Sequence, residues 1–168
     1  GLAVQYDRFI DQHHAISPEL VRWLTDVQNV HSEKIVMAPL AQLTTGTGGR
    51  FAPRDSSQPF TVAYVGRLSR QKRPDVFLML VHRLHKSGIP VRAIMHGDGE
   101  MREIVHGLID HFGLRGLIEQ RFEDIPVTET LRESDLLVVT SINEGLTLTT
   151  FESIAAGVPV LSADVGSQ

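Results

Sequence analysis

Apolar positions along this chain follow two alternating rhythms. From residue 60 onward, short apolar runs at 60–65, 91–96, 118–122, 135–140 and 158–163 have the pattern of strands in a covered sheet. Between them lie stretches with a helical stripe. Val76, Phe77, Leu80, Val81 and Leu84 share one face of 74–86, and Met101, Ile104, Val105, Leu108, Ile109 and Phe112 share one face of 100–112. Leu146, Leu148, Phe151, Ile154 and Ala155 do the same for 146–156, and a shorter helix is expected at 126–133. Gly88 and Gly157 stand where helix C-caps are needed, and Pro159 stops the last helix. Strand–helix alternation with short connections predicts an α/β fold. We expect a Rossmann-like parallel sheet with helices on both faces and right-handed crossovers.

The first forty residues carry a smaller version of the same rhythm. A short strand is expected within 12–17. Ser17 then reads as an N-cap, with Pro18 at the first helical position and Glu19 in the first turn of a helix over 18–28. A strand over 34–40 follows. Residues 42–58, rich in Thr, Gly, Ser and Pro, break the pattern and read as a linker or mobile loop. After the strand at 158–163 only five residues remain, too few for a covering helix, so the chain reads as a fragment.

Composition narrows the class. The chain has 168 residues, 42% of them apolar, enough for one cored domain and an extra piece. A net charge of −4 gives no case for nucleic acid. There is no cysteine, hence no disulfide framework and no thiolate metal site, which suits a cytoplasmic protein. No apolar run approaches the roughly 18 residues of a membrane span. Peripheral contact with a membrane stays open for a longer protein.

Candidate chemistry collects at the carboxyl ends of the expected strands, where open α/β sheets bind ligands. After the first strand, GRLSRQK (66–72) places Arg67 and Lys72 around a loop. Two cations there suit a diphosphate, and they equally suit a solvated basic turn. After the second, GDGE (97–100) offers flexible glycines, with Asp98 or Glu100 read as a cap for the next helix. Glu144 lies in the loop after 135–140. Glu152, eight positions on, would be about 12 Å further along a helix axis. That is too far for carboxylates acting on one bond, which sit about 5–9.5 Å apart in glycosidases. Taken alone, Glu152 reads as a solvated helix residue. His82 and His85 read as surface, His96 as a packed histidine, and no histidine spacing argues for zinc. A dinucleotide fingerprint is lacking, since the first turn has one glycine, Gly66.

Together, GR-x4-K, GDGE, the SDLLVVTS strand and E-G-x6-F-E-x3-A-x-G-x-P-V resemble the C-terminal, donor-binding domain of retaining GT-B glycosyltransferases of group 1, family GT4. The resemblance covers about 60–166. It implies that Arg67 and Lys72 hold the diphosphate of a nucleotide sugar and that Glu144 touches the donor sugar at the catalytic centre. It implies further that Gly145, Leu146 and Thr147 present backbone N–H groups, and that Glu152 binds the ribose. Glu123, Asp124 and Ile125 would border the base, and Gly97 would face the nucleotide. The implied transfer needs no bound metal or other cofactor. Its partners are a nucleoside-diphosphate sugar and a glycan or lipid-linked acceptor. Residues 1–41 would then be the last β–α–β of the acceptor domain, and 59–168 a C-terminally incomplete donor domain. Thr147 stands where the family often has Gly, Ser153 where Ala is frequent, and Arg73 where Gly is common. Alternative readings are a non-catalytic nucleotide-binding or interaction module of the same fold, and a nucleotide-sugar 2-epimerase.

Overall fold

The structure, a computed structural model, describes residues 2–38, 57–122, 124–145 and 147–166. The expected linker at 42–58 falls outside these residues except for its last two, and so do Glu123 and Leu146.

Five parallel strands form the main sheet: β3 (Phe60–Val65), β4 (Val91–His96), β5 (Ile118–Arg121), β6 (Leu136–Val139) and β7 (Val160–Ser162), in the order β5-β4-β3-β6-β7. The two-residue side-chain period sorts β3 between two cores. Val62 and Tyr64 join Phe77, Leu78 and Val81 of α3 (Pro74–Lys86) and Val105 and Ile109 of α4 (Arg102–His111). Ala63 and Val65 face the other way. They meet Val127 and Leu131 of α5 (Val127–Arg132), Leu137 and Val139 of β6, and Ala156, just past α6 (Leu148–Ala155). Strands covered on both faces explain the near-continuous apolar runs.

β3, β4 and α3 have the bounds that periodicity predicts. α3 ends in a paired turn, with the Gly88 N–H donating to His85 O and the Ile89 N–H to Leu84 O; Gly88 takes φ 74° to allow it. Two helices start two residues later than expected. α4 begins at Arg102 rather than 100, because Met101 departs from helical geometry (φ −92°, ψ 8°) and its N–H donates to Leu68 O of a neighbouring turn (2.9 Å). α6 begins at Leu148 rather than 146, because Thr147 is extended (φ −87°, ψ 132°) and acts as its N-cap residue. His82 is not a plain surface residue. It is half-buried, its ring stacks on Phe112 at 4.7 Å, and its Nδ1 is buried with no partner among the described residues.

The N-terminal segment opens with a short helix, α1 (Leu2–Gln5). A parallel pair of strands follows, β1 (His13–Ala15) and β2 (Ile35–Met37), joined by α2 (Pro18–Arg22), which runs on as a wider turn over Trp23–Val27. Ser17 caps α2 as expected, its hydroxyl accepting from the Leu20 N–H (3.2 Å). Asp7 ties the segment together. Its carboxylate takes His13 Nε2 (2.7 Å) and Lys34 Nζ (3.2 Å), and the His13 bond foremost holds its pKa below the usual carboxylate range.

Candidate functional site

The chain runs from β3 to β4 and β5 on one side of the sheet, then returns to β6 and β7 on the other. The order therefore reverses between β3 and β6, which lie side by side. A crevice at such a switch point is where open α/β sheets take ligands. The loop after β3 carries Arg67 and Lys72. The loop after β6 carries Glu144 and Gly145.

Side-chain and backbone bonds pin these loops to each other. The Ile142 N–H donates to Gln71 O (2.9 Å) and Gln71 Nε2 to Asn143 O (2.8 Å). The Thr140 hydroxyl shares its hydrogen between the carbonyls of Lys72 (2.9 Å) and Arg73 (2.8 Å). At the centre Lys72 Nζ lies 2.5 Å from Glu144 Oε1. The Glu144 side chain is only 8% exposed and that of Lys72 28%, so this is a partly desolvated ion pair. Arg67 differs. It is exposed, and no side-chain bond is made to it among the described residues.

The loop after β4 packs on the loop after β3 through bare backbone. The Gly66 N–H donates to His96 O and the Leu68 N–H to Asp98 O, both at 2.9 Å. Gly97 sits at φ 134°, and a Cβ there would lie 2.2 Å from Gly66 O; one on Gly99 would lie 2.5 Å from Leu68 O. These glycines are thus required by contact between two protein loops. Asp98 does not cap α4. It accepts from the Gly99 N–H (2.8 Å) and from Arg102 (2.8 Å). Tyr64, beneath, donates its hydroxyl to Arg67 O (2.7 Å). Burial, with Glu144, Asp75 and Glu100 nearby, pushes its pKa well above the usual phenol range.

Two clefts meet at the ion pair. One, of about 540 Å³, is lined by Gly66, Arg67, Ser69, Gln71, Lys72 and Glu100. The other, of about 600 Å³, lies between Ile16, Leu20 and Trp23 of the N-terminal segment and Asn143, Glu144 and Gly145. Both volumes fall in the range of small-molecule sites. Gly145 comes so near the N-terminal segment that a Cβ on it would lie 3.2 Å from Ile16 Cδ1. A stretch after β7 backs the loop: a Cβ on Gly166 would lie 1.7 Å from Glu144 O.

The remaining described residues expected at the site fall just before α6, on α6 itself and in the turn after β5. Thr147 is buried and bonds Thr150 through their hydroxyls (2.6 Å). Glu152, on α6, is half-buried, and no hydrogen bond reaches its carboxylate among the described residues. Asp124 is exposed and Ile125 half-buried, in the turn after β5, where the Ile125 N–H donates to Phe122 O (3.1 Å). His96 is packed, as expected, 5% exposed with Nδ1 2.8 Å from Thr130 Oγ1. Burial first, and the Arg121 charge second, lower its pKa. Gln71, Thr140 and Gly166 were not expected at the site. The polar ends of the SDLLVVTS strand and the GRLSRQK turn were the available signal for the first two. Among the described residues no three His, Asp or Glu side chains gather as metal ligands.

The fold and this crevice define a Rossmann-like class of α/β domain. Comparison with known proteins makes this specific. The family model for glycosyl transferases group 1 matches residues 50–168, and the chain belongs to that family. It is 31% identical over 150 residues to the D-inositol 3-phosphate glycosyltransferase of Rhodococcus erythropolis, covering 78% of this chain and 33% of that protein. It is 28% identical over 144 residues to the GtfA subunit of the Streptococcus pneumoniae UDP-N-acetylglucosamine–peptide N-acetylglucosaminyltransferase, covering 80% and 26%. Among solved structures, Anabaena HepE in complex with UDP-glucose superposes with a TM-score of 0.79 at 20% identity over 98% of this chain and 48% of that one. The lipopolysaccharide outer core galactosyltransferase WaaB gives 0.73 at 22% identity, over 94% and 44%. The chain thus spans about a third of the curated relatives it matches, and under half of these structures. No helix among the described residues is long and apolar enough to cross a membrane.

Proposed function

We propose that this chain is the donor-binding part of a retaining GT-B glycosyltransferase of family GT4, which moves a sugar from a UDP-sugar to a glycan or lipid-linked acceptor. The observation that carries the reading is the Lys72–Glu144 pair at the seam of two clefts. The cleft with Arg67 and Lys72 takes the diphosphate, and the cleft bordered by residues 16–23 is the acceptor side. On this reading residues 1–41 belong to the acceptor domain and 59–168 to the donor domain. UDP is proposed because the named relative GtfA uses a UDP-sugar and HepE is solved with UDP-glucose.

In the proposed reaction the bond between the anomeric carbon and the diphosphate oxygen breaks, and its electron pair leaves with UDP. The acceptor oxygen bonds to the anomeric carbon on the same face, and the acceptor proton passes to the departing phosphate oxygen. Negative charge grows on the diphosphate as the bond breaks, so preorganised cations lower the barrier. Arg67 binds phosphate oxygens with its planar fork and Lys72 as a point charge. Glu144, an acceptor when ionised, takes hydroxyl groups of the sugar. Glu152 takes the ribose hydroxyls. The backbone N–H groups of Gly145 and Thr147 take the phosphates, and Asp124, Ile125 and Gly97 take the nucleoside side, with Glu123 and Leu146 completing the set in sequence.

Calorimetric titration of the chain with UDP, GDP and ADP in the presence of EDTA tests this. UDP is expected to bind, and Arg67→Ala to weaken it by about 1.5–3 kcal/mol, the scale of a charge-assisted hydrogen bond. Binding of none of the three, or binding indifferent to Arg67, overturns the reading.

A further inference from the structure

The two ionic groups at the centre of the site are paired with each other, and both are held from behind. The Lys72 backbone hangs on the Thr140 hydroxyl. The Glu144 backbone is packed so tightly on Gly166 that no side chain fits between them. The carboxylate of Glu144 is nearly buried, with Lys72 as its hydrogen-bond partner at 2.5 Å. The ammonium has further N–H donors to offer, but drawing it fully onto an anionic oxygen gives up this bond and leaves a nearly buried carboxylate without its partner. A sugar on the diphosphate changes the balance. An ionised carboxylate accepts hydrogen bonds and cannot donate them, and sugar hydroxyls are donors of matching reach.

We propose that Glu144 is a specificity-determining residue that selects the sugar-bearing nucleotide over its own product, by holding Lys72 against a bare diphosphate and releasing it when sugar hydroxyls replace the ammonium as partners. This rests on the donor-site reading above. While the sugar is attached, Glu144 gains donors for the bond it gives up. After transfer the carboxylate faces UDP with nothing to accept from, and recaptures Lys72 as UDP leaves. One side chain thereby serves binding of the donor and expulsion of the product.

The test is a matrix of dissociation constants. UDP, UDP-glucose and UDP-N-acetylglucosamine are titrated by calorimetry into the wild-type chain and into Glu144→Gln, Lys72→Ala and the double variant. Melting curves confirm that each is folded, and Glu144→Ala stands in if Glu144→Gln is not. Glu144→Gln is expected to tighten UDP about tenfold, and to leave the better-bound UDP-sugar unchanged or weakened. In the Lys72→Ala background the same substitution is expected to gain less than about threefold, because the contest is for that ammonium. A Glu144→Gln variant that binds UDP no tighter than wild type overturns the inference, as does a full tenfold gain without Lys72. If wild type binds UDP in an Arg67-dependent way and either result appears, the donor-site reading stands and this inference alone falls. A wild-type chain that binds no nucleotide overturns both.

Discussion

Replacing Gly97 by Ala separates the contact role of this glycine from its conformational one. Two costs follow from the structure. The residue sits at φ 134°, a region that costs an L-residue about 1–3 kcal/mol. The new Cβ would also lie 2.2 Å from Gly66 O and 2.9 Å from Gly66 C, so the turns after β3 and β4 must part by about 1 Å to reach van der Waals separation. That movement strains the bonds from the Gly66 N–H to His96 O and from the Leu68 N–H to Asp98 O, each worth about 0.5–1.5 kcal/mol. The expected loss is about 2–5 kcal/mol, a large share of the roughly 5–15 kcal/mol that holds a typical domain folded. Urea unfolding measures it. Two companion variants divide the sum. Gly113→Ala meets a positive φ of 67° with no atom within 4 Å, so it reports the conformational cost alone, about 1–2 kcal/mol. Gly99→Ala meets Leu68 O at 2.5 Å without a positive φ, and reports the steric cost. Gly97→Ala costing no more than Gly113→Ala would refute the contact argument.

Thr140→Val keeps the shape but removes the hydrogen shared by Lys72 O and Arg73 O; it should cost about 1 kcal/mol in urea unfolding and weaken UDP several-fold. Arg121→Met empties a 5%-exposed site where the guanidinium meets Glu119 (2.6 Å) and Glu133 (2.5 Å). A loss of about 2 kcal/mol is expected, below that of a fully buried pair because both carboxylates are about 40% exposed. The lowered pKa of His96 means that the unfolded chain binds its proton first. Its contribution is therefore complete above the unfolded value of about 6.5 and falls away as pH drops through that value toward the lower folded one. The urea midpoint should fall between about pH 7.5 and 5.5, and fall less in His96→Asn; equal slopes would remove His96 as the cause. Arg67→Ala should weaken UDP more than Lys72→Ala does, by calorimetry, since only Lys72 must first be taken from a carboxylate; the reverse order would contradict this.

Local pattern carried the elements whose ends are set locally. β3, β4 and α3 have apolar periods that start and stop with Pro, Gly or a change of rhythm, and their bounds were readable from them. The start of α4 was not, because what holds Met101 out of the helix is Leu68 O, a carbonyl from another turn. At α6 two signals overlap. Leu146 and Leu148 continue the apolar stripe, while Thr147 and Thr150 have cap spacing, and the hydroxyl pair prevails. His82 was misplaced for the same nonlocal reason, since its partner Phe112 belongs to the end of the next helix. The types of residue at the site were legible as cations and carboxylates beside strand ends. Their pairing was not: Lys72 and Glu144 lie 72 positions apart and meet only because β6 returns to lie against β3.

That return also explains why the cations of one short turn are not equivalent. Arg73 turns outward at φ 52° and spends its guanidinium on Asp75, whose carboxyl it holds below the usual range. Lys72 points to Glu144 on the far side of the switch point. Arg67 stands before the bend that Tyr64 fixes through the Arg67 carbonyl, and its side chain opens into the cleft with no carboxylate bonded to it among the described residues. On the proposed donor-site reading, an incoming phosphate would meet Arg67 without competition and draw Lys72 only in contest with Glu144. The asymmetry arises from chain topology rather than from residue type. Swapping the two cations would leave the net charge of the cleft unchanged and still alter which of them a ligand meets first. For that reason the net charge of −4, or a count of basic residues in GRLSRQK, is a poor guide to anion binding here. What matters is which positive group the fold has already paired.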